Sequence, residues 1–156
     1  MEGVNAMNQK VDMRDLFKSG IPFAARAGIE ATRLAKEGID LKMPIGPNRN
    51  HVGTMYAGAL FTLGEMMGGA VAMVYFIEHS LIPIVKGLHI KFVKPATTDI
   101  TTTYAMSEEE VQRIIAECRE KGKADYSIQL ELKDQNGVTV ALTDGLYQVR
   151  GSWSKK

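Results

Sequence analysis

The chain has 156 residues, a formal charge of +1 at pH 7 and one cysteine, Cys118. That length suits one domain, 1–156, able to bury about two-thirds of its unfolded surface. Near-neutral charge gives no electrostatic case for nucleic acid, a lone cysteine excludes an internal disulfide and suits a reducing cytoplasm, and the polar stretch Met1–Asp15 lacks the apolar run of a signal peptide.

In chain order, residues from about 8 to 18 read as a short amphipathic helix with Val11, Leu16 and Phe17 on its apolar face. Ile21-Pro22 ends it, and Phe23–Gly28 carries no assignable pattern. Ile29–Leu34 and Ile39–Ile45 read as strands joined at Lys36-Glu37-Gly38. In the second, Ile39, Leu41, Met43 and Ile45 alternate with Asp40, Lys42 and Pro44, a period of two. Gly46–Asn50 is a loop by its turn residues.

From Thr54 to Ile77 the chain is apolar or small almost throughout, and as a helix this stretch would run about 35 Å. A helix apolar all round is buried in protein or in lipid. Glu65 near its midpoint, the density of Gly and Ala and the flanking strands argue against a membrane span; a carboxylate at a bilayer centre costs about 2.5–3.5 kcal/mol. Neighbours three, four and seven residues from Glu65 share its face: Gly58, Phe61, Thr62, Gly68, Gly69 and Ala72. The opposite face carries Tyr56, Leu60, Leu63, Met67 and Val74. Each helical Gly costs about 1 kcal/mol against Ala, so Gly64, Gly68 and Gly69 imply close approach by another backbone, a subunit or a ligand. Glu65 has no Lys or Arg one turn away.

Ser80–Gly87 reads as a reversal. Leu88, Ile90 and Phe92 alternate with His89 and Lys91 in a strand stopped by Pro95, and Asp99–Met106 reads as the next. Ser107-Glu108-Glu109-Glu110 is a capping box opening a surface helix to about Lys121, with Val111, Ile114, Ile115 and Cys118 on its apolar stripe. Tyr126, Ile128, Leu130 and Leu132 mark a strand. Asn136-Gly137 signals a hairpin, and Val138–Arg150 returns with a bulge or bend at Gly145. The tail carries Trp153. Short reversals favour an antiparallel sheet curling round the one buried helix, with an edge that a second subunit would cover.

The start of the long helix offers free N–H groups and the positive end of a dipole. The N–H groups near Ala57 and Gly58 suit a developing oxyanion, a contribution of about 3 kcal/mol per donor. Glu65, two turns further in, suits activation of water or direct attack on a carbonyl. A buried structural glutamate is the equal alternative. Asn50 orients a carbonyl or water, or caps its own loop, and His51 is a base or an idle loop residue. His79 and His89 have no partner at metal spacing, so no metal site is expected. Arg49, Lys86, Lys91 and Lys94 are candidate phosphate contacts or solvated cations.

Asn50 through Glu65 resembles the segment of hotdog-fold acyl-CoA thioesterases on the phenylacetate-pathway and DUF4442 side of that superfamily. Asn50 stands at the family's Asn, Tyr56-Ala57-Gly58 at its His-Gly-Gly, Leu60-Phe61-Thr62-Leu63-Gly64 at its apolar stretch and Glu65 at its acid. Phe92-Val93-Lys94-Pro95 with Asp99, and Val140-Ala141-Leu142, resemble two later strands. The likeness spans about 29–150. It implies an α+β hotdog fold, a curved antiparallel sheet wrapped around a long central helix, as a homodimer or a dimer of dimers with its site at the interface. It implies thioesterase activity on an acyl-CoA or acyl-carrier substrate, with no cofactor beyond the coenzyme A of the thioester. Glu65 would be base or nucleophile, Ala57 N–H with Gly58 the oxyanion donor, and Asn50 the orienting residue. His51, Tyr56, Thr62, Gly68, Gly69 and Lys94 would line the substrate. Tyr56 and Ala57 depart from the His and first Gly, and the Ala57 methyl crowds the acyl group. The alternatives are a non-catalytic acyl-thioester-binding module on the same fold, and a dehydratase pairing a His with the helix acid, which His51 precedes too closely.

Overall fold

The computed structural model of the chain describes residues 12–151. Residues 8–11 of the expected first helix, Val11 among them, and Trp153 lie outside the described residues. Helix α1 is Met13–Ser19 and α2 is Pro22–Ala27, so the segment without a sequence pattern is a one-turn-and-a-half helix started by Pro22. Proline fits there because a first-turn N–H has no intrahelical acceptor. Gly28, at φ +79°, closes α2 in the left-handed region that glycine tolerates.

Strands β1 (Glu30–Ala35) and β2 (Gly38–Met43) pair antiparallel through a turn at Lys36-Glu37. Ile39, Leu41 and Met43 are fully buried, as the period of two requires. The remaining strands are β3 (Leu81–Phe92), β4 (Ile100–Tyr104), β5 (Lys123–Lys133) and β6 (Thr139–Gly151). All pairings are antiparallel, in the order β1-β2-β4-β5-β6-β3. The sheet wraps helix α3 (Ala57–Tyr75), whose Leu63, Met67, Ala70 and Val71 are fully buried against it. This is the hotdog arrangement. Helix α4 (Glu108–Lys121) lies on the surface, with Ser107 Oγ accepting from Glu110 N–H at 3.1 Å and Gly122 closing it at φ +78°.

Three sequence expectations need correction. The long helix is shorter than Thr54–Ile77: Met55 is held in a bridge with Arg49, and Tyr56 N–H donates to Asn48 O at 2.7 Å, so helical geometry starts only at Ala57. Its 19 residues span about 28 Å. Strand β3 begins at Leu81 rather than Leu88, because Pro83 is tolerated on a sheet edge, where its missing N–H breaks no ladder. The reversal is made earlier, by a 3-10 turn over Ile77–His79 and Ser80 at φ +57°. The hairpin signalled by Asn136-Gly137 is present and joins β5 to β6, its loop organised by Asp134, whose Oδ1 accepts from both Asn136 and Val138 N–H at 2.9 Å. Gly145 makes no bulge: it is in register with Leu88 and Ile128, and its missing side chain leaves room for the Tyr147 ring.

The one helix long and apolar enough to cross a membrane among the described residues is α3, and 67% of its apolar window is buried inside the protein.

Candidate functional site

Glu65 is the only charged residue of α3. It is half-buried on the floor of a cleft of about 360 Å³. The cleft is walled by Met66, Gly69 and Met73 of α3, by Phe17 of α1 and Ile21 of the turn before α2, and by the Leu81–Pro83 end of β3. Among the described residues no cation and no hydrogen-bond donor reaches the carboxylate, and burial alone pushes its pKa above the ordinary 4.5. An acid raised by desolvation in an apolar cleft is a candidate general base.

The main chain at Glu65 is held from the sheet. Tyr147 Oη donates to the Glu65 carbonyl oxygen at 3.3 Å. The Tyr147 ring stacks on Tyr126 with centroids 5.7 Å apart, and burial together with the nearby Glu65 raises the pKa of its phenol. Tyr147 was missed by sequence reasoning. Its only local signal is the Gly145-x-Tyr147 pairing of small and large residues on one strand face.

The glycines of α3 divide. A Cβ at Gly64 would come within 2.7 Å of Thr143, and a Cβ at Gly68 would run into the Tyr147 ring. Both glycines exist for the sheet. Gly68 therefore faces β6 and does not line the cleft, which corrects its expected place beside the substrate. Among the described residues nothing lies within 4 Å of a Cβ added at Gly69, which opens into the Glu65 cleft. Thr62 Oγ1 donates to Gly58 O at 2.7 Å, one turn back along the helix, and its side chain is buried; it lines neither cleft.

A second cleft, also about 360 Å³, lies at the start of α3. It is lined by Asn50, Ala57 and Leu60 together with Phe92, Lys94 and Pro95 at the far end of β3. The first intrahelical bonds run from Ala59 and Leu60 N–H to Tyr56 O, and among the described residues no side chain caps the helix start. The Ala57 and Gly58 N–H groups have no backbone acceptor among the described residues. Tyr56 is 59% exposed, so it does not share the packed face of Leu60, Leu63 and Met67. Its ring lies against Gly58, where a Cβ would collide with it. Asn50 caps its own loop: Oδ1 accepts from Val52 N–H at 3.0 Å and Thr54 N–H at 3.1 Å, and Nδ2 donates to Thr54 Oγ1 at 2.8 Å. His51 is exposed in that loop and Lys94 is exposed on the cleft rim.

The structure thus brings Asn50, Ala57 and Lys94 together at one end of α3 and puts Glu65 and Gly69 in another cleft. Ala57 and Glu65 are eight positions apart in one helix, about 12 Å along its axis. One carbonyl cannot touch both within a single chain. Among the described residues no three His, Cys, Asp or Glu side chains converge as metal ligands.

A family model described as domain of unknown function DUF4442 matches residues 11–146. Among solved structures, a protein of unknown function from Pseudomonas aeruginosa, described as a probable thioesterase, is 40% identical, covers 89% of this chain and 93% of that one, and has a TM-score of 0.84. A putative thioesterase from Shewanella oneidensis is 21% identical over 90% of this chain and 95% of its own, with a TM-score of 0.75. A thioesterase from Haemophilus influenzae is 13% identical over 89% of this chain and 88% of its own, with a TM-score of 0.68; at these identities the likeness is one of fold. No curated protein matches the chain.

Proposed function

The chain belongs to the DUF4442 family, and from that premise we propose that it is a thioesterase hydrolysing an acyl thioester of coenzyme A or of an acyl carrier. The observation that carries this reading is Glu65: a carboxylate with no partner among the described residues, its pKa raised by burial, on the floor of an apolar cleft. A base works best when its pKa approaches the working pH. Acting as base, Glu65 takes a proton from water while the water oxygen bonds to the thioester carbon. The tetrahedral intermediate then expels the thiolate, which takes the proton from Glu65. Acting as nucleophile, Glu65 bonds to that carbon, releases the thiolate and leaves an anhydride for water to cleave. The P. aeruginosa relative, a probable thioesterase by description, supports the activity class.

The carbonyl oxygen needs donors, and Ala57, whose N–H like that of Gly58 has no backbone acceptor among the described residues, lines the other cleft. A homodimer resolves this. Strand β3 is a sheet edge, and Phe61, Ile82, Val85 and Phe92 around it are 40% to 49% exposed. Pairing β3 antiparallel with a second copy sets the Leu81–Pro83 end of one strand beside the Phe92–Lys94 end of the other. The Glu65 cleft of each subunit then meets the helix-start cleft of its partner, and Ala57 N–H faces Glu65 across the two-fold. Lys94 on the rim suits a phosphate of coenzyme A. A dimer of dimers keeps the same two sites per pair. A monomer by light scattering at micromolar concentration overturns this composite site.

A second reading, a non-catalytic acyl-thioester-binding module, draws support from the helix start. The Tyr56 ring crowds Gly58, and Asn50 spends its side chain on its own loop. Thiol release from short, medium, long and aryl acyl-CoAs decides between the two. The enzyme releases thiol from at least one, and Glu65→Gln lowers the rate by about 100-fold or more. No release by the wild type, with acyl-CoA affinity indifferent to Glu65→Gln, establishes the binding module.

A further inference from the structure

Of the three internal glycines on and beside the Glu65 face of α3, the sheet explains two. Gly64 and Gly68 are filled from outside by Thr143 and Tyr147. Gly69 has no such neighbour among the described residues, although glycine there costs the helix about 1 kcal/mol against alanine. The position is one turn beyond Glu65 on the wall of the same cleft, so the space a side chain would fill is cleft volume. The remaining wall is apolar: Phe17, Ile21, Met66, Met73, Ile77 and Leu81. Among the described residues Glu65 is the only ionisable group lining it. A cleft without a cation does not hold a free carboxylate or a phosphate; its chemistry fits an uncharged hydrocarbon. At about 30 Å³ per water-sized group, 360 Å³ holds about twelve heavy atoms.

We propose that Gly69 sets the chain length this protein accepts: an unbranched aliphatic acyl tail lies along α3 from Glu65 across Gly69, and the open space at Gly69 fixes how much of it is buried. The inference rests on the thioesterase reading for the head of the ligand and on the cleft itself for the tail.

The test uses S-alkyl coenzyme A thioethers, which cannot be hydrolysed, with chains from two to sixteen carbons and affinities from titration calorimetry. Each buried methylene strengthens binding by about fourfold. Wild-type affinity therefore climbs with chain length and levels off at about twelve carbons. Gly69→Leu fills the cleft with four heavy atoms. The plateau moves down by about four carbons, and the ratio of dodecyl to ethyl affinity falls by about 250-fold. Gly69→Ala, which adds one methyl in open space and favours the helix, moves the plateau by about one carbon and keeps the comparison available should the leucine variant fold poorly. A wild-type affinity that is flat in chain length, or variants with the wild-type dodecyl-to-ethyl ratio, overturns the proposal. The thioesterase reading fails separately: chain-length-dependent binding without turnover of any acyl-CoA sinks that reading and leaves this one, and turnover with flat binding does the reverse.

Discussion

The two long helices treat charge in opposite ways. Helix α4 carries Glu108, Glu109 and Glu110 in its first turn and Arg119 and Lys121 in its last, each sign at the favourable end of the dipole. Arg113 at its centre bridges Glu110 at 2.7 Å and Glu117 at 2.8 Å. Helix α3 carries one charge, and among the described residues nothing neutralises it. Surface charges that are paired along a helix account for themselves structurally. A lone carboxylate half-withdrawn from water works against the fold, and the cleft above it supplies the other reason for its presence.

The sharpest way to break that contrast is Glu65→Gln, which should lose catalysis and gain stability together. Loss of the base costs about 100- to 10,000-fold in turnover. The stability change follows from linkage. In the unfolded chain Glu65 titrates near 4.5, and burial raises that value in the fold. The folded state holds the proton more tightly, so stability is greatest below about 4.5, falls as pH climbs through the folded pKa, and stays lower above it. Glutamine removes this loss. The variant should melt above the wild type at pH 8, with the gap closing toward pH 4.5. Equal melting temperatures at pH 8 would deny that the carboxylate is desolvated.

A smaller effect separates the two sides of α3. Gly68→Ala drives a methyl into the Tyr147 ring, which is itself pinned against Gly145 and Tyr126. Overpacking of this kind costs about 1–3 kcal/mol and outweighs the helix-propensity gain of about 1 kcal/mol. Gly69→Ala, one residue on, meets nothing within 4 Å and keeps the propensity gain. Urea denaturation of the two variants should therefore move in opposite directions. Equal shifts would mean that the cleft side of α3 is as tightly packed as the sheet side.

How far these features were legible depends on their range along the chain. The cap at Ser107 and the alternation of Ile39, Leu41 and Met43 are local, and both stand in the structure as read. Glu65 stood out because an acid amid apolar residues is visible in any short window. The pairing of Gly68 with Tyr147 joins residues far apart in sequence, so the sequence leaves the glycine's purpose open and Gly145 reads there as a bulge or bend. The first half of β3 was hidden by Pro83, which excludes a central strand but not an edge, and edge position is a property of the whole sheet. The separation of Glu65 from Ala57 into different clefts depends on Phe17 of α1 and on Gly20 and Ile21 of the turn after it walling one of them, a long-range contact that no local pattern announces.

The smallest expected effect comes from the paired side of the contrast. Arg113→Ala removes two exposed ion pairs and a hydrogen bond of 3.1 Å to the Asp125 carbonyl oxygen. Exposed pairs contribute about 0.2–1 kcal/mol each, and salt screens them. The variant should lose about 1 kcal/mol or less in low salt and nearly nothing in 1 M salt, where the Debye length is about 3 Å. Arg113 hydrogen-bonds Glu110 and holds its pKa below the ordinary 4.5. The stabilisation is therefore present above that value and is lost as pH falls through the lowered pKa, so the gap between wild type and variant closes in acid. Thiol release should be the same for both proteins. A change in turnover without a matching change in stability would mean that the charges of α4 act on the Glu65 cleft through the sheet, and the division between a structural helix and a chemical one would no longer hold.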